Sequence, residues 1–514
     1  MTTLAISPAA ETAEELAPHQ TPVAGPLPEP PAPAPRRREQ VANTAVLALL
    51  LAAPALMCVH AACANDFDVF WHLRTGEWIL QHHAIPHTEP FSTLAGKPWQ
   101  AYSWLFEVLV TGFFQRLGLA GIVAYTSSMV LAVTVALYHM IRRMQSDFSL
   151  SALLTFATSF GLSHLYTPRP WMFTLLFFIL ELNILLQARR TGRNRELLWL
   201  PLIFALWANI HIEFIDGLLV LSLAFAESIL ARRWSAAETR ISPRWMGGIL
   251  LASSLATLVN PYGWRVYSVV FDYSSRLAAS GSALNMVSEL QSIAFRDLPD
   301  FIILFFALAA AAALAWHRRF PVFETGLLLF ACFTSFRSKR DMWVMAITGA
   351  AILASRIAVP RRKPPIPISK LAAALAVAGA VLAVALTFPA LHVNNHKLQA
   401  QVAETLPAGA VAAIRAHGYT GPVYDDYNWG GYLMWALRMP VTMDGRASFY
   451  GDRRITQSVL TWSGARDWAS DPNLKTAGIV VGPVNQALIQ LLRTDPRFQL
   501  VYQDKLAAVF IRRG

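Results

Sequence analysis

The chain is short of charge, short of cysteine and without internal repetition, and each shortage removes a class of protein. Only 15% of its 514 residues are charged while 55% are hydrophobic, too little charge to solvate a globular surface of this size. Three cysteines cannot build a disulfide framework. Cys58, Cys63 and Cys332 all fall within or at the edge of apolar runs, where they read as small hydrophobes and not as zinc ligands. No repeat of fixed period is present, which sets solenoids aside. Acidic residues are the scarcer sign, 32 against 43 Lys and Arg, for a net charge of +11. That surplus sits in arginine clusters between apolar runs, so it reads as a topology signal, and no nucleic-acid partner is expected. Residues 1–42 lack apolar periodicity over most of their length and are rich in Pro and Ala, as in Pro-Glu-Pro-Pro-Ala-Pro-Ala-Pro. Such a segment cannot bury a core and is expected to be a disordered tail.

What the chain has instead is apolar length. Runs lie near residues 43–63, 104–140, 148–166, 171–187, 198–231, 246–260, 300–316, 320–336, 342–356 and 370–389, the fifth interrupted around His211. Segments of this length cross a lipid bilayer as helices, and the second and fifth can each hold two, so about ten to thirteen transmembrane helices are expected. Arg36, Arg37 and Arg38 place the amino terminus in the cytoplasm, and basic clusters at 142–143, 189–195, 232–244, 318–319 and 361–363 follow alternate runs on that same side. The opposite side receives residues 64–103, the turns at 166–170 and 336–341, the His211 break, the 260–300 segment and everything after Pro389. A full crossing by residues 104–118 would flip the parity of the later helices.

The reading is therefore an α-helical polytopic membrane domain over residues 43–389, followed at 390–514 by a soluble α/β domain of ordinary charge density. In the latter, strands are expected at 421–424, 441–443, 477–481, 498–503 and 507–512 and helices at 411–417, 431–437 and 485–493, giving an open sheet of about four or five strands. Residues Asp426, Asn428 and Trp429 form one strand-end turn and Asp444 with Arg446 another. Loops at strand ends hold ligands in α/β sheets, but they also hold structural turns, and the domain is not expected to be catalytic.

The first loop on the non-cytoplasmic side, residues 64–103, carries Asp66 and Asp68 directly after the first apolar run. Carboxylates beside hydrocarbon are costly to desolvate, so a pair one residue apart marks a watery cavity, a cation or a catalytic task, or else a solvated helix end. Residues two apart in extended chain share one side, so both can face one cleft. Phe70, Trp71, Leu73, Trp78 and Ile79 are spaced as one stripe of an amphipathic helix on the membrane surface, with Arg74 and Glu77 toward water. His82, His83 and His87 lack the partners of a metal site.

The block Asp66-Phe67-Asp68-Val69-Phe70-Trp71-His72-Leu73, with Ile85-Pro86-His87-Thr88-Glu89-Pro90-Phe91-Ser92, resembles the first loop of a group of bacterial membrane proteins that in turn resemble the GT-C glycosyltransferases. The likeness continues through Arg169-Pro170, Asn209-Ile210-His211, Asn260-Pro261-Tyr262-Gly263-Trp264, Asp426-Tyr427-Asn428-Trp429-Gly430-Gly431 and Met443-Asp444-Gly445-Arg446. Three positions depart from the group: Phe70 stands for Trp, Glu89 for Asp, and Ile212-Glu213 for small residues.

The resemblance implies an enzyme of the bacterial cytoplasmic (inner) membrane that moves a sugar from a polyprenyl-phosphate carrier to a lipid, glycan or protein acceptor outside the cytoplasm, its carboxy-terminal domain lying in the periplasm or outside the cell. Asp66 and Asp68 are then the candidates for catalytic base and for ligands of a divalent cation, Mg or Mn. Arg169, Arg265, Arg337, Lys339 and Arg340 are the candidate phosphate-binding cations, and His72, Asn209, His211 and Glu213 the candidate cavity residues. For each cation, snorkelling toward lipid headgroups is the competing reading. Two other functions stay open: a lipid or polymer transporter, which would want mid-helix charges and two related halves, and a non-catalytic envelope scaffold recruiting partners through its exported domain.

Overall fold

A computed structural model describes residues 37–61, 66–230, 239–279, 282–316, 321–358 and 368–513. The expected tail before Arg37, Cys63, and the basic residues at 232–233, 318–319 and 361–363 lie outside the described residues. Helices dominate the first part: α1 (Arg37–Ala61), α2 (Val69–His82), α3 (Trp104–Leu117), α4 (Leu119–Met144), α5 (Phe148–Gly161), α6 (Trp171–Thr191) and α7 (Leu200–Ala208). They continue as α8 (Phe214–Leu230), α9 (Pro243–Ala256), α10 (Val266–Ala278), α11 (Leu298–Trp316), α12 (Val322–Arg337), α13 (Met342–Arg356) and α14 (Lys370–Ala390). Five of the described helices, α1, α4, α6, α11 and α14, are long and apolar enough to cross a membrane. The first begins at Arg37 and not at 43, because Glu39 and Gln40 are good helix formers that extend it ahead of the apolar run.

Side-chain caps fix several starts: Asp147 accepts from Leu150 N at α5, Ser242 from Trp245 N at α9 and Ser369 from Ala372 N at α14. Helix α13 is buried at every position from Met342 to Ala354, as its all-round apolar sequence requires, and packs against α4, α5, α11 and α12. The run 104–140 divides at Gly118 into two helices, and α3 does not traverse the bundle. Trp104 at its start donates to Asn209 beyond α7, and its last turn is held by Asn395 beyond α14, whose side chain bonds Leu117 O at 3.0 Å and Ala120 N at 3.1 Å. Both ends of α3 therefore lie at one end of the bundle, which is also where α2 sits.

After the bundle come α15 (Asn395–Thr405), α16 (Ala408–His417), β1 (Val423–Asp425), α17 (Gly430–Leu437), α18 (Ala447–Tyr450), α19 (Asp452–Trp462), α20 (Pro472–Thr476), β2 (Ile479–Pro483), α21 (Ala487–Leu492), β3 (Phe498–Gln503) and β4 (Ala507–Arg512). The four-stranded sheet has the order β1-β2-β4-β3, with β1 and β2 parallel and the other pairs antiparallel. Residues 441–443 do not form a strand of it; Val441 bridges singly to Val423 and to Ser92 of the first loop.

That bridge is one of several ties between the first loop and the carboxy-terminal part. Helix α2 packs on α3 and on α17, and Phe70 meets Tyr432 edge-on at 5.0 Å and Trp435 at 5.2 Å. The amphipathic stripe of α2 is thus buried in protein, not laid on a bilayer. Glu77 likewise does not face water: it is buried, accepting from Trp435 Nε1 at 3.3 Å and pairing with Arg438. Gly76 lets α2 come this close to α3, since a Cβ there would overlap the carbonyl of Glu107.

Candidate functional site

Asp66 and Asp68 stand between α1 and α2, with Asp68 at the N-terminus of α2 but not capping it. The backbone folds so that Asp68 N donates to Asp66 Oδ1 at 2.9 Å, which turns both carboxyls to one side. There they meet Arg169, set by Pro170 at the start of α6. Its Nε donates to Asp66 Oδ2 at 2.6 Å, and its Nη1 lies 3.0 Å from Asp68 Oδ2 and 3.4 Å from Glu289 Oε2. Burial pushes the Asp68 carboxyl up to about 7 even though Arg169 pulls it down. Asp68 thus changes charge near neutrality.

A second cation continues the chain of charges. Arg340, in the turn between α12 and α13, lies 3.9 Å from Glu289 Oε1 and 3.2 Å from Glu213 Oε1, and its Nη2 is 3.1 Å from His211 Nε2. His211 Nδ1 lies 3.0 Å from Thr174 Oγ1 and 3.2 Å from Glu213 Oε2. Burial would raise the Glu213 carboxyl, but His211 and Arg340 outweigh it and hold the group below the usual range. Trp171 lies under both guanidiniums, 4.6 Å from that of Arg169 and 5.3 Å from that of Arg340.

The opposite wall comes from α2, α3 and the carboxy-terminal part. His72 Nδ1 is 3.3 Å from Glu107 Oε1; burial pushes the imidazole well below and the carboxyl well above their usual ranges, each toward its uncharged form. Arg446 reaches in from the Asp444 turn. It donates to both oxygens of Asp444 at 2.8 and 2.6 Å and to Glu89 Oε1 at 2.9 Å, with its guanidinium 4.7 Å over Trp99. Tyr450 completes the cluster, donating to Asp444 Oδ2 at 2.6 Å. Gly445 lies against Asp68 so closely that a Cβ would overlap Asp68 Oδ1. Between these walls is a cavity of about 90 Å³ lined among others by Asp68, His72, Glu107, Arg169, Arg340 and Arg446.

Asp68, His72, Arg169, His211, Arg340 and Arg446 are therefore brought to one cavity, with Asp66, Glu213 and Asp444 holding its arginines. Lys339 lines an adjoining cleft with Asp66, His164 and Glu289. Arg265 and Arg337 are not brought there: Arg265 is exposed in a neighbouring groove with Lys97 and Asp272, and Arg337 is exposed over the ring of Phe333. Asn209 is not a cavity residue but a brace between Trp104, Ala205 O and Val259 O. Asp426 and Asn428 form the turn that opens α17, Asp426 Oδ1 accepting Asn428 N at 2.9 Å, and Trp429 is buried on Thr405 O. Arg446 departs from the purely structural reading of its turn, because the turn is pressed onto Asp68. Glu107 and Glu289 were not singled out by the sequence. A lone carboxylate inside an apolar helix was the available signal for Glu107.

One oxygen of each aspartate is engaged by arginine where a divalent cation was expected. Asp66 Oδ2 and Asp68 Oδ2 both bind Arg169, and the guanidinium fills the space between them and Glu289. Among the described residues no group of three or more His, Cys, Asp or Glu is set to hold a metal ion.

Comparison with solved structures shows a fold shared with an archaeal oligosaccharyltransferase. One is the archaeal oligosaccharyltransferase AglB from Archaeoglobus fulgidus in complex with an inhibitory peptide and a dolichol-phosphate, with a TM-score of 0.58 and 10% identity over 87% of this chain and 69% of that one. The Archaeoglobus fulgidus oligosaccharyltransferase in the apo form matches at a TM-score of 0.52 and 10% identity, over 87% and 70% of the two chains. ArnT from Cupriavidus metallidurans bound to undecaprenyl phosphate matches at a TM-score of 0.43 and 13% identity, over 90% and 97%. At such identities the likeness is one of fold. No protein-family model and no curated sequence matches the chain.

Proposed function

We propose that the protein is a membrane glycosyltransferase that moves a sugar from a polyprenyl-phosphate carrier to an acceptor, with Asp68 as the base. The observation that carries this reading is a carboxyl pushed up to about 7 facing one cavity with Arg169 and Arg340. A base with that affinity for protons is matched to neutral pH. Asp68 takes the proton of the acceptor hydroxyl as its oxygen attacks the anomeric carbon, and the carrier phosphate leaves with the bonding electrons. Arg169 and Arg340 meet the charge that develops on that phosphate. Asp66 is a positioning residue that fixes the Arg169 guanidinium. The AglB structure was solved with a dolichol-phosphate, which supports a lipid-linked donor here.

The site end of the bundle faces away from the cytoplasm in this reading, because the basic ends of α4 and α6, with Arg142, Arg143, Arg189 and Arg190, are opposite to it. Helix α3 stays on the site side, so the parity of the remaining helices is kept and the carboxy-terminal sheet lies with the site. Positive charge in the cavity is supplied by arginine. A divalent cation would compete with Arg169 for the same carboxylate oxygens, so activity should persist in EDTA.

The test is transfer of radiolabelled sugar from a polyprenyl-phosphate donor by the purified full-length protein. Asp68→Asn should lower turnover by about 10²–10⁴-fold, the usual worth of a general base. Full activity in both Asp68→Asn and Asp66→Asn would end the proposal. A transporter would instead move the labelled carrier across the membrane with its sugar still attached.

A further inference from the structure

The hydrogen-bonding groups in the cavity wall fall into two sets. Those of the Asp66, Arg169, Glu289 and Arg340 chain are largely bonded to one another. Five atoms outside that chain, in the same lining, are buried and have no partner in the protein: Trp71 Nε1, Gln100 Oε1, Ser103 Oγ, Glu107 Oε2 and Arg446 Nη1. Buried polar atoms are nearly always hydrogen-bonded, so five on one wall is a concentration that calls for a ligand. Of their side chains, Trp71, Ser103, Glu107 and Arg446 are more than nine-tenths buried. They are held rigidly: Glu107 by His72 at 3.3 Å, Arg446 by Asp444 and Glu89, and the segment with Gln100 and Ser103 by Ala101 N donating to Tyr262 Oη at 2.8 Å.

We infer that this wall is the pocket for the transferred sugar ring, and that it takes a neutral, hydroxyl-rich hexose and not an acidic one. The inference rests on the glycosyltransferase reading and adds the class of sugar. Trp71 Nε1 and Arg446 Nη1 can only donate and Gln100 Oε1 can only accept, while the hydroxyl of Ser103 and the carboxyl of Glu107 can each do either. Sugar hydroxyls both donate and accept, so they satisfy such a mixed set. Charge decides between a neutral and an acidic sugar. Arg446 is outnumbered by Asp444 and Glu89, both within 3 Å of it. No uncompensated positive charge remains on this wall for a uronate. The phosphate of the donor is left to Arg169 and Arg340, across the cavity.

The experiment measures binding to the full-length protein in detergent of three probes: polyprenyl phosphate, polyprenyl-phosphate glucose and polyprenyl-phosphate glucuronic acid. The glucose-bearing carrier should bind at least about ten-fold tighter than the bare carrier, one or two buried hydrogen bonds' worth. Ser103→Ala and Glu107→Gln should each erode that margin while leaving bare-carrier binding in place, which also reports that the variants are folded. Equal binding of bare and glucose-bearing carrier would overturn the sugar pocket while the carrier reading stands. Tighter binding of the glucuronate would overturn the neutral assignment, and binding of none of the three would remove the glycosyltransferase reading and this inference with it.

Discussion

Asp68 carries a proton affinity shifted from that of an ordinary carboxylate to about 7, because burial outweighs the pull of Arg169. Below that pH the group is protonated and cannot act as a base, so transfer should rise as pH increases through 7 and then level, a dependence that Asp68→Asn should abolish along with most activity. The same shift has a stability sign. A carboxyl held above its unfolded value stabilises the fold fully only below about pH 4, and that contribution is lost as pH rises toward the folded value. Asp68→Asn should therefore unfold at a higher temperature than the native protein, by a margin that grows with pH and is level above neutrality. Arg169 predicts the reverse: Arg169→Ala leaves Asp66, 2% exposed, without its cation, and loss of one partner of such a pair costs about 3–5 kcal/mol. Thermal unfolding in detergent checks both. Asp66, Asp68, Arg169 and Arg340 were legible in the sequence, since charges at the margin of apolar runs are conspicuous. Glu289 was not, because its role depends on bridging two arginines far from it in the chain.

Helices were legible wherever a long apolar run set them, as with 171–187 and α6 or 342–356 and α13, since burial or lipid imposes one length and one period on such segments. Terminal strands 498–503 and 507–512 were legible for the corresponding reason, alternation bounded by turns. Helix α2 was legible in extent but not in surroundings. Its apolar stripe fits a bilayer surface as well as it fits α3 and α17, and only the tertiary fold puts Glu77 against Trp435 and Arg438. The α2–α3 contact depends on Gly76. Gly76→Val should force the two helices apart, at about 1–3 kcal/mol for overpacking, and because α2 carries His72 and α3 carries Glu107, activity should fall more steeply than the unfolding temperature.

The cavity belongs to no single part of the molecule. Its floor comes from the bundle, one wall from the first loop and α3, and its lid from the Asp444-Gly445-Arg446 turn, which comes after β1 and α17. Gly445→Val should lift that turn from Asp68, so transfer should be lost while the circular dichroism of the helices is unchanged; unaltered turnover would show that the turn does not close the site. Asp68 and Arg446 are separated by most of the chain. A ribosome finishes α1 and α2 long before it reaches the carboxy-terminal turn, so a nascent or truncated polypeptide already in the membrane holds an acid and an arginine but no enclosed chamber. Enclosure of the cavity thereby waits until the Asp444-Gly445-Arg446 turn has been made and has settled on Asp68.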